Sequence, residues 1–301
     1  MIRNVTEIKS LGINEENIII DASMDKYTSF KAGGKAKALI IVEDKEQLKR
    51  LLKFVNEKKW EYILIGNGSN LLFSDEGYDG VVIKLGEGFK KIRISDNTIT
   101  AGASCLLSQV SYFAMENGLT GFEFASGIPG TLGGGLFMNA GAYGGELKDV
   151  VITVNAISHD GKSEYVFSND DMEFGYRDSM LQRNKMIVTS AVLKLTEGDK
   201  LQIKQNISEL TEKRNSKQPV TYPSAGSTFK RPVGGYAAQL IDEAGLKGLT
   251  VGGAMVSPKH AGFIVNNGNA TATDIIELIR LVQNYVYDNS GIMLEPEVRI
   301  I

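Results

Sequence analysis

The sequence predicts an α+β fold, with its strands and helices divided among more than one domain. Three observations predict it. Apolar runs of strand length and helices with one apolar face follow each other without the strict strand–helix repeat of a parallel sheet. The length, 301 residues, suits two or three domains at roughly 100–200 residues each. A passage rich in breakers, Lys217 to Pro232, separates a strand-dominated middle from a C-terminal part in which helices flank strands.

The elements follow in order. Lys35–Val42 (KAKALIIV) reads as a buried strand, and Asp44 with Gln47 forms a capping-box start for a helix whose apolar face is Leu48, Leu51, Leu52 and Val55, with Trp60 just beyond its end. A short apolar run, Tyr62–Ile65, a small-residue loop, a turn over residues 74–80 and a strand over 81–85 complete a β-α-β-loop-β layer. Residues 91–101 alternate in strand fashion, and Leu106, Leu107, Val110, Phe113 and Ala114 mark a helix that stops at Gly118. Strand-like segments dominate residues 150–195, with Asp160-Gly161 as a turn between two of them. A polar helix is expected over 206–213, helices over 236–244 and 273–288, and strands over 248–256, 263–265 and 295–301.

Composition narrows the function classes. With 33 basic and 36 acidic residues the net charge is −3, and no Lys/Arg block supplies the concentrated basic face that nucleic acid requires. No apolar run approaches the 18 or so residues of a membrane span. Glu7, Lys9, Glu15 and Glu16 interrupt any N-terminal apolar stretch, so a cytoplasmic protein is expected. The single cysteine, Cys105, excludes an intramolecular disulfide and reads as an apolar residue of a helix face. One Cys and two His (His159, His260), without H-E-x-x-H, give no metal site, and neither a P-loop nor a G-x-S-x-G elbow is present.

Glycine carries the strongest signal. It makes up 33 of 301 residues, about 11 % against an average of about 7 %, and ten fall within residues 118–145. Gly66-Asn67-Gly68-Ser69-Asn70-Leu71-Leu72 follows a strand and contains G-x-G, but position 71 is Leu and a turn follows, so no helix N-terminus awaits a pyrophosphate as in a Rossmann fingerprint. What it retains is a loop of small residues able to cradle a phosphate, although taken alone the segment reads first as a tight β–β connection. In the denser stretch, Ser126 to Gly135 and Asn139 to Gly144, close strand packing accounts for two or three glycines; the rest, among Ser, Thr and Asn, point to backbone wrapped against a large, flat, polar-edged ligand.

Taken together, Thr28-Ser-Phe-Lys-Ala-Gly-Gly34, Gly66 to Leu72, Gly127 to Gly144, Gly175-Tyr-Arg-Asp-Ser179, Ala225-Gly-Ser-Thr-Phe-Lys-Arg-Pro232 and Leu294-Glu-Pro-Glu-Val-Arg299 resemble the UDP-N-acetylenolpyruvoylglucosamine reductases, the flavoproteins of bacterial cell-wall precursor synthesis. The resemblance spans nearly the whole chain. It implies the FAD-binding fold shared with p-cresol methylhydroxylase and vanillyl-alcohol oxidase: two α+β subdomains, expected at 1–85 and 86–204, and an α+β substrate domain at 205–293, with residues 294–301 returning to the first. It also implies non-covalent FAD held by Gly66, Asn67, Gly68, Ser69 and Asn70 and by Gly127, Ile128, Pro129, Gly130, Thr131, Gly133, Gly134, Asn139, Gly141 and Ala142.

The reaction implied has two halves: NADPH reduces the flavin, and the flavin then delivers hydride to the enolpyruvyl methylene of a UDP-sugar. Charge develops on the adjacent carbon and carboxylate. By resemblance Arg177 and Glu297 stabilise that enolate and Ser227 protonates it, with Tyr176, Lys217 and Lys230 around the substrate. A free Ser is a weak acid, and Lys217 and Lys230 are the cations nearest to Ser227 in sequence. Singly, Ser227 reads as a turn residue, Arg177 as a surface salt-bridge partner and Glu297 as a strand carboxylate; the motifs reverse that reading. Position 231 is Arg where some relatives carry Asn, and the short span from Ser227 to Glu297 resembles the type II form, which lacks a Tyr-bearing loop over the substrate. A monomer is expected. Two other readings stand beside this one: a sugar or aldonolactone oxidase of the same flavin fold, which turns over with O₂ and without NADPH, and a non-catalytic nucleotide-sugar binding protein.

Overall fold

A computed structural model describes residues 5–301, which form an α+β chain of two compact units. Of the described residues, the first comprises 5–20, 38–66 and 80–213; the second comprises 21–37, 67–79 and 214–301. Each has its own hydrophobic core.

The first unit contains two sheets. One has the strand order Ile18–Ser23, Lys35–Val42, Tyr78–Leu85, Tyr62–Ile65, the last two parallel with Ile65 opposite Lys84. The helix Lys45–Glu57 begins where the sequence places it: the Asp44 carboxylate accepts the Gln47 N–H at 2.7 Å, and the Gln47 side chain returns to the Glu43 N–H at 2.8 Å. Leu48, Leu51, Leu52 and Val55, spaced i, i+3, i+4, i+7, are fully buried. At about 1.5–3 kcal/mol for each side chain removed from water, this face holds the helix in place.

The other sheet is antiparallel, in the order Glu164–Ser168, Val151–Ile157, Ile187–Lys194, Thr98–Gly102, Ile92–Ser95. The strand-like residues 91–101 divide into two strands, because Asp96, with φ 51°, reverses the chain between them. The short helix Leu132–Phe137 packs against the Ile187–Lys194 and Thr98–Gly102 strands. The polar helix starts earlier than expected and runs Lys200–Lys217.

In the second unit a three-stranded antiparallel sheet (Thr250–Val251, Ala254–Val256, Ile264–Asn266) carries the helix Ala272–Ser290, which buries Ile275, Leu278, Ile279, Val282 and Val286. Thr271 and Asp274 cap that helix reciprocally, and Asp75 adds bonds from the Ala272 N–H (2.9 Å), the Thr273 N–H (2.8 Å) and the Thr273 hydroxyl (2.7 Å). At the C-terminus only Arg299–Ile300 is strand, paired in parallel with Leu71–Leu72. Among the described residues no helix is long and apolar enough to cross a membrane.

Candidate functional site

In the first unit Gly66 ends the Tyr62–Ile65 strand and lies against Thr131, the N-cap of the Leu132–Phe137 helix. A Cβ at Gly66 would approach Thr131 Oγ1 closer than 3.0 Å, and that hydroxyl already accepts the Gly134 N–H at 3.3 Å. The two glycine segments thus meet through the absence of one methyl group. Lys84, opposite Ile65, donates from Nζ to the Gly66 carbonyl at 2.7 Å. Burial, then the charge of Lys90, push its ammonium below the usual lysine range. The sequence reading missed Lys84; the available signal was a lysine within the apolar run Val81-Val-Ile-Lys-Leu85.

Further along, Gly130 accepts the Leu107 N–H at 3.0 Å, Pro129 is exposed, and Gly127 and Ile128 are half-buried. Gly133 donates to the Ala103 carbonyl at 2.9 Å. Gly134 is exposed, with only Thr131 Oγ1 within 4 Å of where its Cβ would stand. Gly141 and Ala142 pair with Glu146 and Gly145 in a hairpin turned by Tyr143 (φ 53°) and Gly144 (φ 90°). Of the ten clustered glycines, Gly118, Gly121 and Gly144 have left-handed φ, and at Gly133, Gly135, Gly141 and Gly145 a Cβ would meet protein atoms at 3.1 Å or less. Protein geometry therefore accounts for seven glycines where the sequence reading allots two or three.

Asn139 is 1 % exposed and fully engaged within the protein. Its Nδ2 donates to Glu146 Oε2 (2.8 Å) and the Gly175 carbonyl (3.0 Å), and its Oδ1 accepts the Lys148 N–H (3.0 Å). Gly175 opens the turn that carries Arg177, closed by Gly175 N–H to Asp178 carbonyl (3.0 Å) and Asp178 N–H to Gly175 carbonyl (3.3 Å). Arg177 has φ 55°, a left-handed conformation that costs a non-glycine residue roughly 1–3 kcal/mol and is found where surroundings impose it. Its guanidinium lies 5.2 Å from the centroid of the exposed Tyr176 ring.

The second unit brings three sequence-predicted groups together. The Glu297 N–H donates to the Thr228 carbonyl (2.8 Å), the Thr228 N–H to the Gly262 carbonyl (2.8 Å), and the Ile264 N–H to Thr228 Oγ1 (2.9 Å). Ser227, exposed beside the left-handed Gly226 (φ 76°), is thereby fixed one residue from the Glu297 pairing. Asn70 Nδ2 donates to the Glu297 carbonyl at 3.1 Å and the Asn70 carbonyl accepts the Arg299 N–H at 3.1 Å, so the 67–70 loop is joined to the same strand. Gly68 has φ 62° and faces the Tyr27 carbonyl; Asn67 is exposed and Ser69 half-buried. Lys230 pairs with Glu295 and donates its N–H to the Glu295 carbonyl, so its charge is shared with that carboxylate. Lys217 is exposed at the end of its helix. Cys105 is buried, and burial pushes its thiol up.

An α+β scaffold with two small-residue loops meeting at a strand end, a half-buried lysine and a run of partly exposed backbone fits a dinucleotide. Residues 36–164 match the family described as FAD binding domain, and the fold is that of an FAD-binding protein. Residues 218–301 match the family described as UDP-N-acetylenolpyruvoylglucosamine reductase, C-terminal domain. The chain is 49 % identical over 289 residues to the UDP-N-acetylenolpyruvoylglucosamine reductase of Clostridioides difficile (strain 630), covering 96 % of this chain and 95 % of that one. The crystal structure of the Thermus caldophilus enzyme of that name (MurB) superposes with a TM-score of 0.81 at 40 % identity, covering 94 % and 97 % of the two chains. A glucose dehydrogenase, Phl p 4.0202, shares the fold alone, with a TM-score of 0.54 at 12 % identity over 66 % of this chain and 45 % of that one. The chain belongs to the UDP-N-acetylenolpyruvoylglucosamine reductase family.

Proposed function

We propose that this protein reduces UDP-N-acetylglucosamine enolpyruvate to UDP-N-acetylmuramate with NADPH, using non-covalent FAD, in peptidoglycan precursor synthesis. The observation that carries the reading is the Glu297 to Thr228 backbone bond, which sets Ser227 and Glu297 on adjacent segments with Asn70 on the Glu297 carbonyl. FAD, when bound, supplies the hydride. Gly66, Asn67, Gly68, Ser69 and Asn70, then Gly127, Ile128, Pro129, Gly130, Thr131, Gly133 and Gly134, with Gly141 and Ala142, would hold it. Asn139 acts by shaping the turn at Gly175.

Each side chain then has one task. Arg177 pairs with the substrate carboxylate as it gains charge. Glu297 hydrogen-bonds the enol oxygen, and Ser227 Oγ gives its proton to the carbon that holds the electron pair displaced by hydride addition. Lys217 and Tyr176 line the substrate path, and Lys230 contributes through its pairing with Glu295. The parts divide as 1–85 with 294–301, 86–204 and 205–293, the last binding substrate, in a cytoplasmic monomer.

The test is direct. Pure protein mixed with NADPH and the UDP-enolpyruvyl sugar consumes NADPH only when the sugar is present; turnover with O₂ alone makes it an oxidase, and colourless protein without absorbance near ~450 nm makes it a binding protein. Ser227→Ala leaves flavin reduction by NADPH intact and slows reoxidation by the sugar; equal loss in both halves removes Ser227 from proton transfer.

A further inference from the structure

We propose that Gln182 is a positioning residue for Arg177, tying the Arg177 turn to the Phe137 end of the Leu132–Phe137 helix. This rests on the reading that Arg177 meets the substrate carboxylate. A single amide makes the tie: Gln182 Nε2 donates to the Phe137 carbonyl at 2.9 Å and to the Arg177 carbonyl at 3.0 Å. Phe137 is the last residue of the helix, where carbonyls lack helical partners, and the buried Ser179 hydroxyl donates to the same oxygen at 2.9 Å.

The turn is thus held from both sides, by Asn139 on the Gly175 carbonyl and by Gln182 on the Arg177 carbonyl. Held at both ends, the turn resists relaxation of Arg177 away from its φ of 55°. Both Nε2 hydrogens are used, so neither Met nor ionised Glu can replace the amide. A glutamate here faces two carbonyl oxygens, which favour its neutral, donating form.

The experiment compares holoenzymes carrying Gln182→Met and Gln182→Glu with the unaltered protein. The expected result is flavin content and flavin reduction by NADPH within about twofold of the unaltered rates, and reoxidation by the UDP-enolpyruvyl sugar slowed at least about tenfold, with kcat falling more than KM rises. Gln182→Glu regains rate relative to the unaltered protein as pH falls from 8 to 6, because a protonated carboxyl donates again. A crystal structure of Gln182→Met has Arg177 outside the left-handed region. If Gln182→Met does not fold, Gln182→Asn, too short to reach both carbonyls, takes its place with the same expected selectivity. Unchanged reoxidation, equal slowing of both halves, a pH-independent Gln182→Glu ratio, or Arg177 still near φ 55° overturns the proposal. If the unaltered protein consumes no NADPH with the sugar, the proposed function fails, and the Arg177 backbone in the variant crystal still decides the clamp.

Discussion

Replacing Gly66 by Ala tests whether the two glycine segments meet as tightly as the structure has them. The new Cβ falls closer than 3.0 Å to Thr131 Oγ1, while the Cβ and Cγ2 of Thr131 stand at 3.5 and 3.6 Å, ordinary contact distances. The hydroxyl is held by the Gly134 N–H, so either the cap or the strand end moves, at about 1–3 kcal/mol. Thr131→Ala alone loses the cap, about 1 kcal/mol. In the double variant the offending oxygen is gone and the nearest remaining atom, the Cβ, is at 3.5 Å, so the cost returns to that of the cap. The cycle therefore has a coupling of about 1–3 kcal/mol in favour of the pair. Trp60, the only tryptophan, packs on Phe54 at the first unit's core and reports urea unfolding of that unit; FAD titration reports the loop. Additive losses in the double variant would refute the close approach.

Three further outcomes are expected. Burial raises the Asp75 carboxyl, but the hydrogen bonds from Thr273 and Ala272 together outweigh it, and backbone bonds from Thr271 and Gly253 hold Asp274 down, so both carboxyls titrate below the usual range. Their stabilisation is complete above the unfolded value near ~3.9 and is lost as pH falls through the lower folded values; Asp75→Asn flattens that acid limb of the urea midpoint against pH, and an unchanged slope removes Asp75 from it. Lys84→Met leaves the Gly66 carbonyl without its donor and weakens FAD binding by about tenfold in a fluorescence titration, whereas unaltered affinity separates Lys84 from the loop. Gly68→Ala, at φ 62° and facing the Tyr27 carbonyl, lowers stability by about 2 kcal/mol or more in thermal unfolding.

What the sequence reveals follows from how local the physics is. Asp44 and Gln47 announce their helix because the cap is made within four residues, and Leu48 to Val55 repeat at the helical period. The Met180–Asn184 helix is too short to display any period, and the Lys200–Lys217 helix buries only Ile203 and Ile207, so neither its start nor its length leaves an apolar stripe. The catalytic candidates are legible through their motifs, but their supports are not. Lys84, Gln182 and the Glu297 to Thr228 pairing act through carbonyls far away in sequence or unmarked by residue type.

The glycine excess joins these levels. Had most of the dense stretch been needed only to admit a ligand, methyl groups there would meet open space, as at Gly144; instead Gly135 lies against Leu107 and Leu147, and Gly145 against Phe124. The glycines let the protein's own elements close on one another, and that closeness gives the short helix a fixed cap at Thr131 and a fixed end at Phe137. A ligand held by backbone groups depends on where the backbone stands, so packing glycines and binding glycines are not separate classes here. Substitution at Gly145, which faces only protein, should then loosen Glu146, the partner of Asn139, and through it the Arg177 turn.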